Sequence, residues 1–97
     1  METRIQSVHF DASTQLLEFV EKKVAKIGKL CDEATSLEVT MKLIKPETAM
    51  NKEVALHLSS GLGDMFAAKT SDTFEDALLA AIDALKGQIE KKREKMK

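Results

Sequence analysis

The chain has 97 residues, 43% of them hydrophobic and 32% charged, with 15 Lys+Arg against 16 Asp+Glu for a formal charge of −1. That length and apolar content support one domain with one modest core and exclude a disordered chain. A single cysteine, no Trp or Tyr and only four Phe exclude an intramolecular disulfide framework, a multi-thiolate zinc site and extensive base stacking. Taken alone, the balanced charge also argues against a nucleic-acid binder.

In chain order, Arg4-Ile-Gln-Ser-Val-His-Phe10 reads as a first strand, with β-branched Ile5 and Val8. Asp11 and Ser13 offer N-cap oxygens for a helix over 13–30, whose apolar Leu16, Val20, Val24 and Ile27 share one face. Gly28 sits late in this helix, where it either allows close packing or marks fraying. Residues 37–44 alternate, Leu37, Val39, Met41 and Leu43 against Glu38, Thr40 and Lys42, which predicts a half-buried antiparallel strand. Pro46 ends it and 47–51 form a polar connection.

Residues 53–59 alternate again, with Val54, Leu56 and Leu58 inward and Glu53, His57 and Ser59 outward. Ser60 to Asp64 form a turn, and Met65 to Thr70 a weaker fourth strand. Asp72-Thr-Phe-Glu75 reads as a capping box with Asp72 as the N-cap. It opens a helix over 73–95 whose stripe is Phe74, Leu78, Ala81, Ile82, Leu85 and Ile89. The order β-α-β-β-β-α predicts a single α+β domain, a four-stranded mostly antiparallel sheet with two helices packed on one face. No segment approaches the ~18 apolar residues that cross a bilayer. The N-terminus lacks the apolar block of a signal peptide, so the chain reads as cytoplasmic.

Charge is segregated along the chain. Residues 22–29 carry Lys22, Lys23, Lys26 and Lys29 with no acid, for +4; residues 86–97 also sum to +4, leaving −9 elsewhere. Lys22, Lys26 and Lys29 fall within about 60° on the first helix. Lys86 and Arg93, seven apart, share a flank of the second. Side by side on one sheet face, the two helices can join these cations into one surface suited to a phosphate backbone. The plainer reading is that lysine runs solvate helix faces and that cations favour a helix C-terminus.

Catalytic and metal chemistry find no support. His9 and His57 lie on or beside strands without further ligands at a recognisable spacing. Cys31, at the end of the first helix, reads as a small half-buried hydrophobe with no base placed beside it. Gly61-Leu-Gly63 lies between strands and lacks the Lys-Ser/Thr of a phosphate loop. Glu75 and Asp76 are first-turn acids favoured by the helix dipole. The chain therefore reads as a non-enzyme with no cofactor and no metal.

Three stretches together are similar to a known pattern: Phe19-Val-Glu-Lys-Lys-Val-Ala-Lys-Ile27, Val39-Thr-Met-Lys-Leu-Ile-Lys45, and Phe74-Glu-Asp-Ala77 with Asp83-Ala-Leu-Lys-Gly-Gln-Ile-Glu-Lys-Lys-Arg93. In their order and spacing, over about residues 4–95, the chain resembles the short ribosome hibernation-promoting factor and ribosome-associated translation inhibitor family of bacteria. The resemblance implies a domain shaped like double-stranded RNA-binding domains. It implies binding to the small ribosomal subunit in the mRNA and tRNA channel, against 16S rRNA and neighbouring ribosomal proteins. Translation is then blocked under slow growth or stress.

In that family the basic residues of both helices contact RNA. Lys23 and Lys26 match the first helix, Lys42 and Lys45 the second strand, and Lys86, Lys91, Lys92 and Arg93 the second helix. With Lys22, Lys29 and Lys95 from the charge clusters, these residues are the expected rRNA-binding set. Two departures stand out: Gly87 falls where relatives commonly carry Arg or Lys, and the loop around Met65-Phe66 is less basic. Residues 1–97 are expected to form one ribosome-binding domain without the C-terminal dimerisation domain of longer members. The free protein is expected to be monomeric, with no membrane and no small-molecule partner. Two alternatives stay open: a small module whose sheet edge or helix face docks an acidic protein, and a double-stranded RNA binder not tied to the ribosome.

Overall fold

Alternation in the sequence becomes one sheet. A computed structural model of the chain describes residues 1–45 and 49–95. It has the order β1 (Glu2–Val8), α1 (Thr14–Leu30), β2 (Ala34–Leu43), β3 (Lys52–Ser60), β4 (Met65–Ser71) and α2 (Phe74–Lys95). The expected strand stop at Pro46 and the first part of the 47–51 connection lie outside the described residues. The strands lie in the order β1-β2-β3-β4. β1 runs parallel to β2 through the α1 crossover, and the other two pairs are antiparallel, so the sheet is mixed but mostly antiparallel.

One face of the sheet is apolar because each strand alternates in step with its neighbour. Leu37, Val39 and Met41 of β2 stand opposite Leu58, Leu56 and Val54 of β3, and all six are buried. Val20, Val24 and Ile27 of α1 and Phe74, Ala77, Leu78, Ala81, Leu85 and Ile89 of α2 close the core over that face. The other face carries Arg4, Glu38, His57 and Phe66 in one cross-strand row, and Val8, Lys42, Glu53 and Thr70 in another. No described helix is long and apolar enough to cross a membrane.

The two helices run in the same direction. The Phe10 and Phe74 rings stack at 4.4 Å where both helices begin, and Arg93 reaches Glu33 beyond the end of α1. Parallel axes put both helix C-termini, and their negative dipole ends, at the end of the molecule that holds Lys29, Lys92, Arg93 and Lys95. The acids Glu75 and Asp76 sit at the other end, in the first turn of α2.

Some local expectations shift. β1 spans 2–8 and not 4–10, because His9 takes a left-handed φ of 68° that turns the backbone out of the ladder. β2 begins at Ala34, three residues earlier than the alternation suggests, through a register irregularity between Ala34 and Ser36. Ser13 caps α1, its Oγ accepting from the Leu16 amide at 3.1 Å. The N-cap of α2 is Thr73, whose Oγ1 accepts from the Asp76 amide at 3.1 Å. Asp72 is not the cap, since its carboxylate accepts from the Met50 amide at 2.9 Å instead. Cys31 is buried at 1% exposure, not half-buried, because it closes α1 directly over the core.

Candidate nucleic-acid interface

The cations of the two helices do meet, along a groove between them. Lys23, Lys26 and Lys29 of α1 and Lys86 of α2 line it, with Leu30, Leu79, Ile82 and Asp83, around a volume of about 580 Å³. The helical period accounts for Lys23. Lys23, next to the buried Val24, sits on the flank of α1 that turns toward α2. Its side chain lies over the Phe19 ring, with Nζ 5.5 Å from the centroid. Lys22 is exposed and does not line the groove, although the helical period places it on the same side as Lys26 and Lys29.

Among the described residues, no carboxylate lies within ion-pair distance of Lys26, Lys29 or Lys86. The lining sums to four cations against the one carboxylate of Asp83. Lys29 has a structural reason to be basic, since it sits in the last turn of α1. Lys23, Lys26 and Lys86 lie away from the helix ends, so the macrodipole does not account for them.

The rest of the expected set is dispersed. Arg93 continues the Lys86 flank, but its Nη2 is 3.5 Å from Glu33 Oε2. Lys92 Nζ lies against Gly63 in the β3–β4 turn, where φ is +111° and an added Cβ would sit 2.7 Å from the ammonium. Lys91 and Lys95 fall three and seven residues after Gln88, which donates to the Phe66 carbonyl of β4 at 2.6 Å. That flank faces the sheet edge, away from the groove.

Lys42 lies on the helix-free face, directly opposite Glu53. Lys45 follows β2 at the far end of the sheet, where its carbonyl accepts from Asn51 Nδ2 at 3.3 Å. The fold thus unites Lys23, Lys26, Lys29 and Lys86, keeps Arg93 near them, and places Lys42 and Lys45 elsewhere.

Sequence reasoning missed Leu30 and Leu79 in the groove, and Glu33 beside it. Leu79 directly follows the core residue Leu78 and is 43% exposed, an apolar side chain out of step with the buried stripe. That break in period was the available signal.

Glu33 also accepts from the Cys31 thiol, Sγ to Oε2 3.7 Å. A hydrogen bond from its own backbone amide, aided by the Arg93 charge and the thiol, holds the Glu33 carboxyl below its ordinary range. Burial pushes the Cys31 thiol up, so it stays protonated and unreactive. His57 Nε2 is 3.7 Å from Asp64 on the helix-free face, and no group of His, Cys, Asp and Glu among the described residues could hold a metal ion.

Comparison with known proteins adds the context of relatives. A family model described as Sigma 54 modulation protein / S30EA ribosomal protein matches residues 3–97. A ribosomal subunit interface protein from Coxiella burnetii superposes with a TM-score of 0.83 at 19% identity, covering 97% of this chain and 99% of that one. The N-terminal domain of Protein Y from Thermus thermophilus superposes with a TM-score of 0.77 at 16% identity, covering 94% and 98%. At these identities the likeness establishes the shared fold. No curated protein matches the chain in sequence.

Proposed function

The chain belongs to the sigma 54 modulation protein / S30EA ribosomal protein family, a family of ribosome-associated proteins, and we propose that it binds the small ribosomal subunit through 16S rRNA phosphates and silences translation. The observation that carries this reading is the convergence of Lys23, Lys26 and Lys86 from two helices across one groove. These are mid-helix cations that neither the dipole nor an ion pair accounts for.

The lysines along the groove rim neutralise phosphates, with Arg93 at the end of the groove extending the contact. Phosphate contacts position a protein and carry little sequence information, so specificity comes from the shape of the RNA surface. The site of action is the mRNA and tRNA channel of the cytoplasmic ribosome, and the block is steric. The domain occupies space that mRNA and tRNA need when growth is slow. One bound domain suffices for this block.

Co-sedimentation with purified small subunits across a salt series tests the proposal. Four phosphate contacts give a slope of log affinity on log salt of about −3. An added translation assay should show inhibition that tracks occupancy. Absence of binding at low salt removes the proposal, and equal affinity for free RNA duplexes favours a generic duplex binder.

A further inference from the structure

The same groove has features that a phosphate rail does not need. Its floor is aliphatic, built from Leu30, Leu79 and Ile82, and Leu79 is 43% exposed. No aromatic ring or guanidinium lines it, so it lacks the platforms on which bases stack.

Size points the same way. Lys23 to Leu30 and Leu79 to Lys86 each span eight residues, about 10 Å of helix from end to end. An apolar trough of this length with a cationic rim is complementary to about two turns of a helix that carries leucine-like residues on one side and carboxylates beside them.

We propose that the inter-helical groove docks an acidic amphipathic helix of a partner protein, its apolar side chains on Leu30, Leu79 and Ile82 and its carboxylates on Lys23, Lys26, Lys29 and Lys86. The docking stands on the groove alone. Its consequence, that such a partner and rRNA exclude one another, rests on the ribosome-binding reading, because both use the same lysines.

The test uses two synthetic peptides of the same composition. One places leucines at i, i+3/i+4 and i+7 with flanking glutamates; the other scrambles that order. Binding to the full chain is followed by calorimetry and by amide chemical shifts. The patterned peptide is expected to bind at least ~10-fold more tightly, a difference of about 1.4 kcal/mol. Its shifts should gather on Lys23 to Leu30 and Leu79 to Lys86. Leu79→Gln, at an exposed position that folding tolerates, should weaken the patterned peptide about five-fold or more and leave the scrambled one unchanged.

Equal binding of the two peptides, or indifference of the patterned one to Leu79→Gln, overturns the proposal. A short single-stranded RNA that loses as much affinity to Leu79→Gln as the peptide does also overturns it, and assigns the floor to nucleotides. Small-subunit co-sedimentation run on the same protein separates the two proposals. Subunit binding without peptide discrimination leaves the ribosome reading standing alone, and peptide discrimination without subunit binding does the reverse.

Discussion

The inter-helical groove and the helix-free face of the sheet hold the same residue types in different company. On the sheet face Lys42 stands directly across from Glu53, and Arg4 across from Glu38 with its Nε 3.5 Å from Glu2. Each cation there has an acid beside it, and its field is largely cancelled within a few ångströms. In the groove, Lys23, Lys26, Lys29 and Lys86 share one carboxylate, Asp83, and their fields add. A net charge of −1 describes neither region. The difference is set by the geometry of the elements: a strand register places opposite charges face to face, while two parallel helices bring lysine flanks together.

The largest effect is expected where the groove is inverted. Lys23→Glu/Lys26→Glu/Lys86→Glu should lower affinity for the small subunit by about a hundred-fold or more at moderate salt, since binding here is carried by counterion release. Far-ultraviolet circular dichroism should stay unchanged, because all three side chains are on the surface. Retained binding by this folded variant breaks the distinction between the two regions.

A smaller effect is expected at Gly87, inside α2, where an added Cβ meets nothing within 4 Å. Gly87→Ala should raise stability by about 0.5–1 kcal/mol in urea unfolding, from helix propensity and a less free unfolded chain. Gly87→Lys gains propensity in the same way and adds a cation beside Lys86. It should strengthen subunit binding at low salt more than the alanine variant does. A stabilised lysine variant with unchanged binding confines the interface to the groove walls.

The smallest effect concerns the Glu33–Arg93 pair at the end of the groove. The Glu33 carboxyl is held low in the folded protein, so its contribution to stability is present at neutral pH and lost as pH falls through that lowered range. Urea midpoints measured from neutral pH downward should therefore converge for the wild type and Glu33→Gln. The same variant removes the partner of Arg93 and should slightly strengthen subunit binding. Parallel midpoint curves contradict the assignment of the shift to Glu33.

Much of this arrangement was legible beforehand. The period-2 runs of β2 and β3 and the stripe from Phe74 to Ile89 specify the sheet and the helices that cover it, because burial forces the pattern. The position of Lys42 was legible too, since it alternates with the buried Met41 and so must face away from the helices. Only the family resemblance grouped it with the helix lysines.

The groove floor was not legible. Which flank of α1 meets which flank of α2 depends on the direction and separation of two helices that no local pattern encodes, so Leu30 and Leu79 had no reason to be paired. The N-cap at Thr73 was missed for a similar reason. Asp72 has an ideal local context as a cap, but its carboxylate is claimed by Met50, twenty-two residues away in sequence.

If the groove is the polyanion site, the position of the cations and not the net charge sets affinity. Two double variants with the same change in charge test it: Lys23→Gln/Lys26→Gln in the groove, and Arg4→Gln/Lys42→Gln on the sheet face. Their affinities for purified small subunits are compared at one moderate salt concentration. The groove pair is expected to lose about ten-fold and the sheet-face pair less than about two-fold, the gap set by uncompensated against compensated cations. Equal losses in the two variants would contradict the account.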